Sequence, residues 1–353
     1  MMKKRNGLLW LAVIIVLAVI VKLFWNKVHF DWTIFWQQLR HVSAIHIWAG
    51  IGLIYATYWL RSVRWAVLLS PTKKVSVRSL LGPQFIGFTG VALFGRLADL
   101  TRPYLVAKRV GLPLSSQVAV YTIERMFDLG AAAVIFSSAL AFTPGDLPHH
   151  EVFVRAGELS LALTLAIAVF AGIVRMSGGV VAGFARATLG RLSKQMGESI
   201  ATKIIEFRDG LNTLSSKRDF GIVILLSLAM WTMIGMAYVQ TTHAFVHTPE
   251  LARLTFSRTM LLMAASIGGS VLQFPIIGWF TQIAVTATAM HELYGAPIEA
   301  ATACGAVLLV VTSLCIIPAG LMYSRLEHMS LKKVAEESKA AGNESNIAVK
   351  SGD

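Results

Sequence analysis

The stretch YTIERMFDLGAAAVIF, residues 121–136, sets Glu124, Arg125 and Asp128 against a run of otherwise apolar residues. On a helix, residues three and four apart lie on one face, so these three form a single compact polar patch. Arg96, Asp99 and Arg102, each three apart, make a second mixed set one connecting segment earlier. The two sets can therefore face each other across a cavity. Guanidinium groups present a planar fork of donors suited to phosphate, and interleaved carboxylates hold such forks in place or take up protons. Arg61 and Arg64 beside Trp65 form a third cationic pair at the inner end of an apolar run. They are read as interfacial anchors whose long side chains snorkel to the membrane surface, with a ligand role as the alternative. Gln273 and Gln282, with Pro275 and Gly278 between them, either line a cavity or bond helix to helix. The histidines show no metal-ligand spacing, and no nucleotide loop, zinc-protease motif or nucleophile elbow is present. Neither a metal, a cofactor nor a catalytic residue is expected.

These residues need a membrane fold to position them. The chain has 353 residues, 55% hydrophobic and 14% charged, with mean hydropathy +0.64, which excludes an ordinary soluble domain. Apolar runs at 8–25, 44–69, 115–142, 157–175, 219–242 and 297–323 predict about six full transmembrane helices in an all-α integral membrane protein. The first run is read as a retained helix rather than a cleaved leader. Cys304 and Cys315 fall too far apart on one helix to bond each other. The net charge of +13 is spread over connecting segments without a nucleic-acid reader motif. It reads as topology: the 143–153 loop has no Lys or Arg, whereas 73–78 and 186–218 are rich in them, which predicts both termini in the cytoplasm.

If the helix carrying Glu124 starts near Ser115, Arg125 lies about 15 Å along it. A charge at that depth costs at least about 2.5–3.5 kcal/mol unless paired or hydrated. The alternative is a shorter span, Met126 to Phe142, with the charges at the cytoplasmic rim. Two Gly-rich stretches, 79–113 and 257–290, are read as re-entrant or broken-helix hairpins, the first from the cytoplasm and the second from outside; two ordinary short spans are the alternative. Irregular backbone at membrane depth survives only where protein or a wet cavity satisfies it, and paired interruptions point to an inverted repeat with a central site. Residues 180–216 carry apolar positions three or four apart between basic ones and predict an amphipathic helix on the cytoplasmic side, laid on lipid or packed on the bundle. One membrane domain, 1–325, and a disordered polar tail, 326–353, complete the layout.

The segments RSVRWAVLL (61–69), FGRLADLTRPY (94–104), TIERMFDL (122–129) and QFPIIGWFTQIA (273–284) make the chain resemble the flippase-like membrane region of lysylphosphatidylglycerol synthases over roughly 8–325. Of that family's Pro-x-Arg-x-Gly-Glu-x-x-Arg core, Arg96 and Arg102 are kept, while Phe94, Ala98 and Asp99 replace the proline, glycine and glutamate. The Glu-Arg-x-x-Asp element is complete at Glu124, Arg125 and Asp128, and of a later Gly-rich element Pro275 and Gly278 remain. The resemblance implies transbilayer movement of a phospholipid or other phosphate-bearing lipid in the cytoplasmic (inner) membrane of a bacterium or archaeon. Arg96, Arg102 and Arg125 would receive the headgroup, and Asp99, Glu124 and Asp128 would tune them. The soluble aminoacyl-transferring module of the fused proteins has no counterpart in these residues, so transport rather than synthesis is expected. Two other readings stay open: a membrane enzyme using the carboxylates as acid and base on a lipid-linked phosphate, and a non-transporting accessory protein. No nucleic acid is expected as a partner, and a homo-oligomer is possible.

Overall fold

A computed structural model describes residues 30–142, 145, 150–190, 193–212, 216–269 and 277–327. The apolar run 8–25, the tail beyond 327, and Gln273 and Pro275 lie outside the described residues. Within them the chain is helical and has no strand. Helix α1 (Trp32–Arg40) begins where the Asp31 carboxylate accepts the Thr33 N–H at 2.7 Å, the usual capping of orphan helix donors. Next come α2 (Ala44–Leu69), α3 (Val77–Phe94), a 3₁₀ turn (Gly95–Ala98), α4 (Thr101–Val110) and α5 (Leu114–Ala141). They are followed by α6 (His150–Leu189), α7 (Lys194–Asn212), α8 (Lys217–His243), α9 (Pro249–Ala252), α10 (Phe256–Gly269) and α11 (Ile277–Tyr294). The last membrane element is α12 (Ile298–Leu309), which passes through a π turn (Val310–Leu314) into α13 (Ile316–Leu326).

Val77–Phe94, Lys217–His243 and Ile298–Leu326 are long and apolar enough to cross a membrane. A fourth candidate is α6, whose limbs Val154–Ile167 and Gly172–Leu189 meet at a 58° bend. The 26 residues of α2 and 28 of α5 also reach the length of a span, about 20 residues, but both carry charges. Leu159, Leu163, Ile167, Phe170, Ile173 and Met176 of α6 are exposed, a surface that only lipid or another chain covers favourably.

Both Gly-rich stretches fold as antiparallel helical hairpins. In the first, α4 returns along α3, and Arg109 Nε donates to the Ser79 carbonyl at 3.2 Å. Gly95 makes the reversal possible with φ +66°, a conformation open to glycine at little cost. In the second, the Tyr294 hydroxyl donates to the Arg258 carbonyl at 2.8 Å, and Gln282 Nε2 donates to Ser266 Oγ at 2.8 Å. The hairpins open at opposite ends of the bundle. The open end of the first meets the end of α13, where Arg109 Nη2 pairs with Glu327 at 2.6 Å. The open end of the second meets the far end of α5, through the Ser257 hydroxyl and the Ala139 carbonyl.

The single amphipathic segment expected over 180–216 is two elements. The chain leaves α6 after Leu189 and folds back as α7, with Arg186 Nε paired to Glu198 at 2.9 Å. A side chain on Gly197 would strike the backbone of Gly190, so this turn is packed glycine on glycine.

Candidate functional site

Glu124 sits at the centre of the bundle, 1% exposed. Three helices bring guanidinium groups to it. From α2, Arg64 places Nη2 2.6 Å from Glu124 Oε1 and Nη1 2.6 Å from Asp128 Oδ1. Its Nη1 also donates to Ser227 Oγ on α8 at 2.7 Å. From α4, Arg102 approaches Glu124 Oε2 at 3.1 Å and donates to Gln84 Oε1 of α3 at 3.1 Å. Arg61 reaches Asp128 Oδ2 at 3.4 Å, and Arg125, from the carboxylates' own helix, reaches the same oxygen at 2.9 Å. Phe88 lies 4.4 Å below the Arg102 guanidinium, with Trp65 and Tyr121 each 5.2 Å away. Such faces stabilise a desolvated cation.

Charges this deep persist only with close partners, because desolvation otherwise exceeds the attraction. Short charge-assisted bonds meet that condition for Glu124, Asp128 and Arg64. The cluster is not balanced, however. Four guanidinium groups surround two carboxylates, a formal excess of two positive charges among these six residues.

Two expectations change. Arg61 and Arg64 are not interface anchors: they are 8% and 0% exposed, and Trp65 beside them is fully buried with its Nε1 donating to Gln117 Oε1 at 3.2 Å. The reason is that α2 lies against both α5 and α8, so the face carrying the two arginines meets the carboxylates rather than the membrane surface. Glu124 and Asp128 likewise stand inside the bundle. The second set is split between two elements. Arg96 lies on the 3₁₀ turn, its side chain outside what is described; Asp99 follows it half-buried; Arg102 on α4 joins Glu124. Sequence reasoning missed Gln84, Phe88 and Ser227, which carry no spacing signal. It had a usable clue for Arg61 and Arg64, because two carboxylates buried on one helix require cations from another.

Above the cluster lies a cavity of about 360 Å³. Arg61, Arg125 and Asp128 form its charged side. The tips of both hairpins reach it, through Val91, Ala92 and Gly95 from the first and Ile267, Gly278 and Trp279 from the second. Gln282 also lines it while bonding helix to helix through Ser266, whereas Arg102 does not line it. Arg125 is the most open member of the cluster, with 38% of its side chain exposed. Arg61 uses only Nη1 on the carboxylates, and its Nε has no hydrogen-bond partner among the described residues. The other terminal nitrogens of Arg61 and Arg125, two residues that line the cavity, are its spare donors.

The sequence profile described as the lysylphosphatidylglycerol synthase TM region matches residues 9–320. The chain belongs to this family. Membership makes it a multi-pass membrane protein with a lipid-related role. A relative, Glycosyltransferase AglD of Haloferax volcanii, is 31% identical over 217 residues, 52% of this chain and 34% of that protein. The chain thus spans about a third of the relative's length. In this family member, the candidate site lies where the two hairpin tips meet the charged helices.

Proposed function

We propose that this chain moves a phosphate-bearing lipid between leaflets, the headgroup passing through the cavity while the tails stay in lipid. The observation that carries this reading is a cavity of about 360 Å³ that holds spare guanidinium donors and a formal positive excess beneath it. Such a volume falls in the range of small-molecule sites, about 300–1,000 Å³, and suits a headgroup rather than a whole lipid. Arg61 and Arg125 would receive the phosphate and replace the hydration it loses. Arg64 and Arg102 would hold Glu124 and Asp128, which in turn aim the two receiving arginines. Hairpins opening at opposite ends fit a site reached from either leaflet.

The distribution of cations supports an orientation. Lys73, Lys74, Arg78, Lys108, Arg109, Lys217, Arg218 and Arg325 gather at the end where the first hairpin opens, against Arg40, Arg155, Arg253 and Arg258 at the other. By the positive-inside rule the first end faces the cytoplasm.

Reconstitution into vesicles with tail-labelled phospholipids tests the reading. Protein-dependent loss of leaflet asymmetry is expected, and Arg125→Ala should slow it at least about tenfold, the cost of losing one charge-assisted contact. Rates equal to those of empty vesicles across several headgroups would overturn it. The glycosyltransferase name of the relative favours a second reading, a membrane enzyme acting on lipid-linked sugar. Chemical analysis of the recovered lipid separates the two, because transport leaves the lipid unchanged.

A further inference from the structure

The cavity has two chemically different sides. Opposite the arginines lies a neutral polar chain built from α8, α10 and α11. The Tyr238 hydroxyl and Gln282 Nε2 both donate to Ser266 Oγ, at 3.0 and 2.8 Å. With two donors on its oxygen, Ser266 keeps its own proton to give, and Gln282 keeps a carbonyl oxygen to accept. The π turn adds Thr312 and Ser313 to the same lining. A π turn gives up regular helical bonding and is common at functional sites; here it carries two hydroxyls into an otherwise apolar run. The Thr312 hydroxyl donates to the Leu308 carbonyl at 2.7 Å, leaving its oxygen able to accept. Trp231 completes this side, and its Nε1 is buried without a hydrogen-bond partner among the described residues.

Mixed donors and acceptors beside an aromatic ring match groups that both donate and accept, which is the chemistry of hydroxyls. An ammonium group would instead meet the formal excess of two positive charges on the arginine side. Asp128 is the carboxylate among the described lining residues, and both its oxygens already face arginines, at 2.6, 2.9 and 3.4 Å. Resting on the transport reading above, we infer that the cavity selects a phosphate carrying a neutral, hydroxyl-rich group, such as glycerol, inositol or a sugar, and rejects a headgroup bearing an ammonium. The phosphate occupies the arginine side and the hydroxyls the Ser266–Gln282 side. This selectivity is opposite to that needed for a lysyl headgroup, which carries ammonium groups.

The test uses the full chain in phosphatidylcholine vesicles with four tail-labelled tracers: phosphatidylinositol, phosphatidylglycerol, phosphatidic acid and lysylphosphatidylglycerol. Phosphatidylinositol and phosphatidylglycerol should cross about tenfold faster than the other two, the scale of one or two net hydrogen bonds. Ser266→Ala with Gln282→Leu should narrow the ratio of phosphatidylinositol to phosphatidic acid rates. The wild-type series decides the matter even if that variant does not fold. Equal rates for all four, or faster movement of the lysyl lipid, would overturn the selectivity and leave transport standing. Movement of none would defeat the transport reading itself.

Discussion

Arg64 bridges both carboxylates, because its two terminal nitrogens serve Glu124, Asp128 and Ser227 at 2.6–2.7 Å while fully buried. Removing it would leave two carboxylates short of a partner. Arg64→Met should therefore lower stability by about 3–5 kcal/mol, read as a large drop in Tm in detergent. Arg64→Lys should restore only part of this, because an ammonium is a point charge and cannot fork between two carboxylates. Arg125 offers the contrast. Its side chain is 38% exposed and shares Asp128 with two other arginines, so Arg125→Ala should change stability by about 1 kcal/mol or less while slowing transport. Should both variants unfold alike, the separation between a holding and a receiving arginine fails.

At the scale of elements, the site depends on how closely α4 returns along α3. A side chain at Gly87 would collide with Arg102, whose backbone Cα is only 3.2 Å from the position of an added Cβ. Gly87→Leu should push the helices apart, cost about 1–3 kcal/mol, and reduce transport by withdrawing Arg102 from Glu124. Gly52 on α2 is exposed, with nothing within 4 Å of an added Cβ. Gly52→Ala should be neutral or stabilising by up to about 1 kcal/mol, because alanine is the better helix former. Thermal melts of the two variants side by side check both expectations. Outside the spans, the Thr33 hydroxyl and N–H hold the Asp31 carboxyl below its ordinary range. The sign follows: the cap on α1 is fully formed above the ordinary aspartate value and is lost as pH falls through the lowered native one. Amide-exchange protection of residues 33 and 34 should fall in that acidic window.

For the whole molecule, the opposed hairpins make a claim about sides. Lys74 lies at the end where the first hairpin opens, and Glu250 lies at the other; both are exposed. Cys304 is buried and Cys315 half-buried, so Cys315→Ser gives a quiet background. In that background, Lys74→Cys and Glu250→Cys should react with a membrane-impermeant thiol reagent from opposite sides of sealed vesicles, with Lys74→Cys labelled from the cytoplasmic face. Labelling of both from one side would remove the opposed arrangement and with it a route open to either leaflet. The exposed tryptophans Trp32, Trp36 and Trp48 sit at the Glu250 end, as expected of an aromatic belt at a membrane surface.

Much of this was written in the order of residues. Composition and apolar runs fixed an all-helical membrane protein, since about 20 apolar residues leave a chain few other places to go. The glycines near 95 and 269 marked both hairpins, and the spacing of Glu124, Arg125 and Asp128 marked one polar face, because each signal is local to a turn or a single helix. What tertiary packing decided was partnership. Arg61 and Arg64 have the same type and spacing whether they anchor a helix at the membrane surface or neutralise a buried carboxylate. Only the placement of α2 against α5 and α8 gives them the second role. The same holds for Ser266, Gln282 and Thr312: their convergence on one cavity depends on three separate helices meeting there, and no periodicity within any of them carries that information.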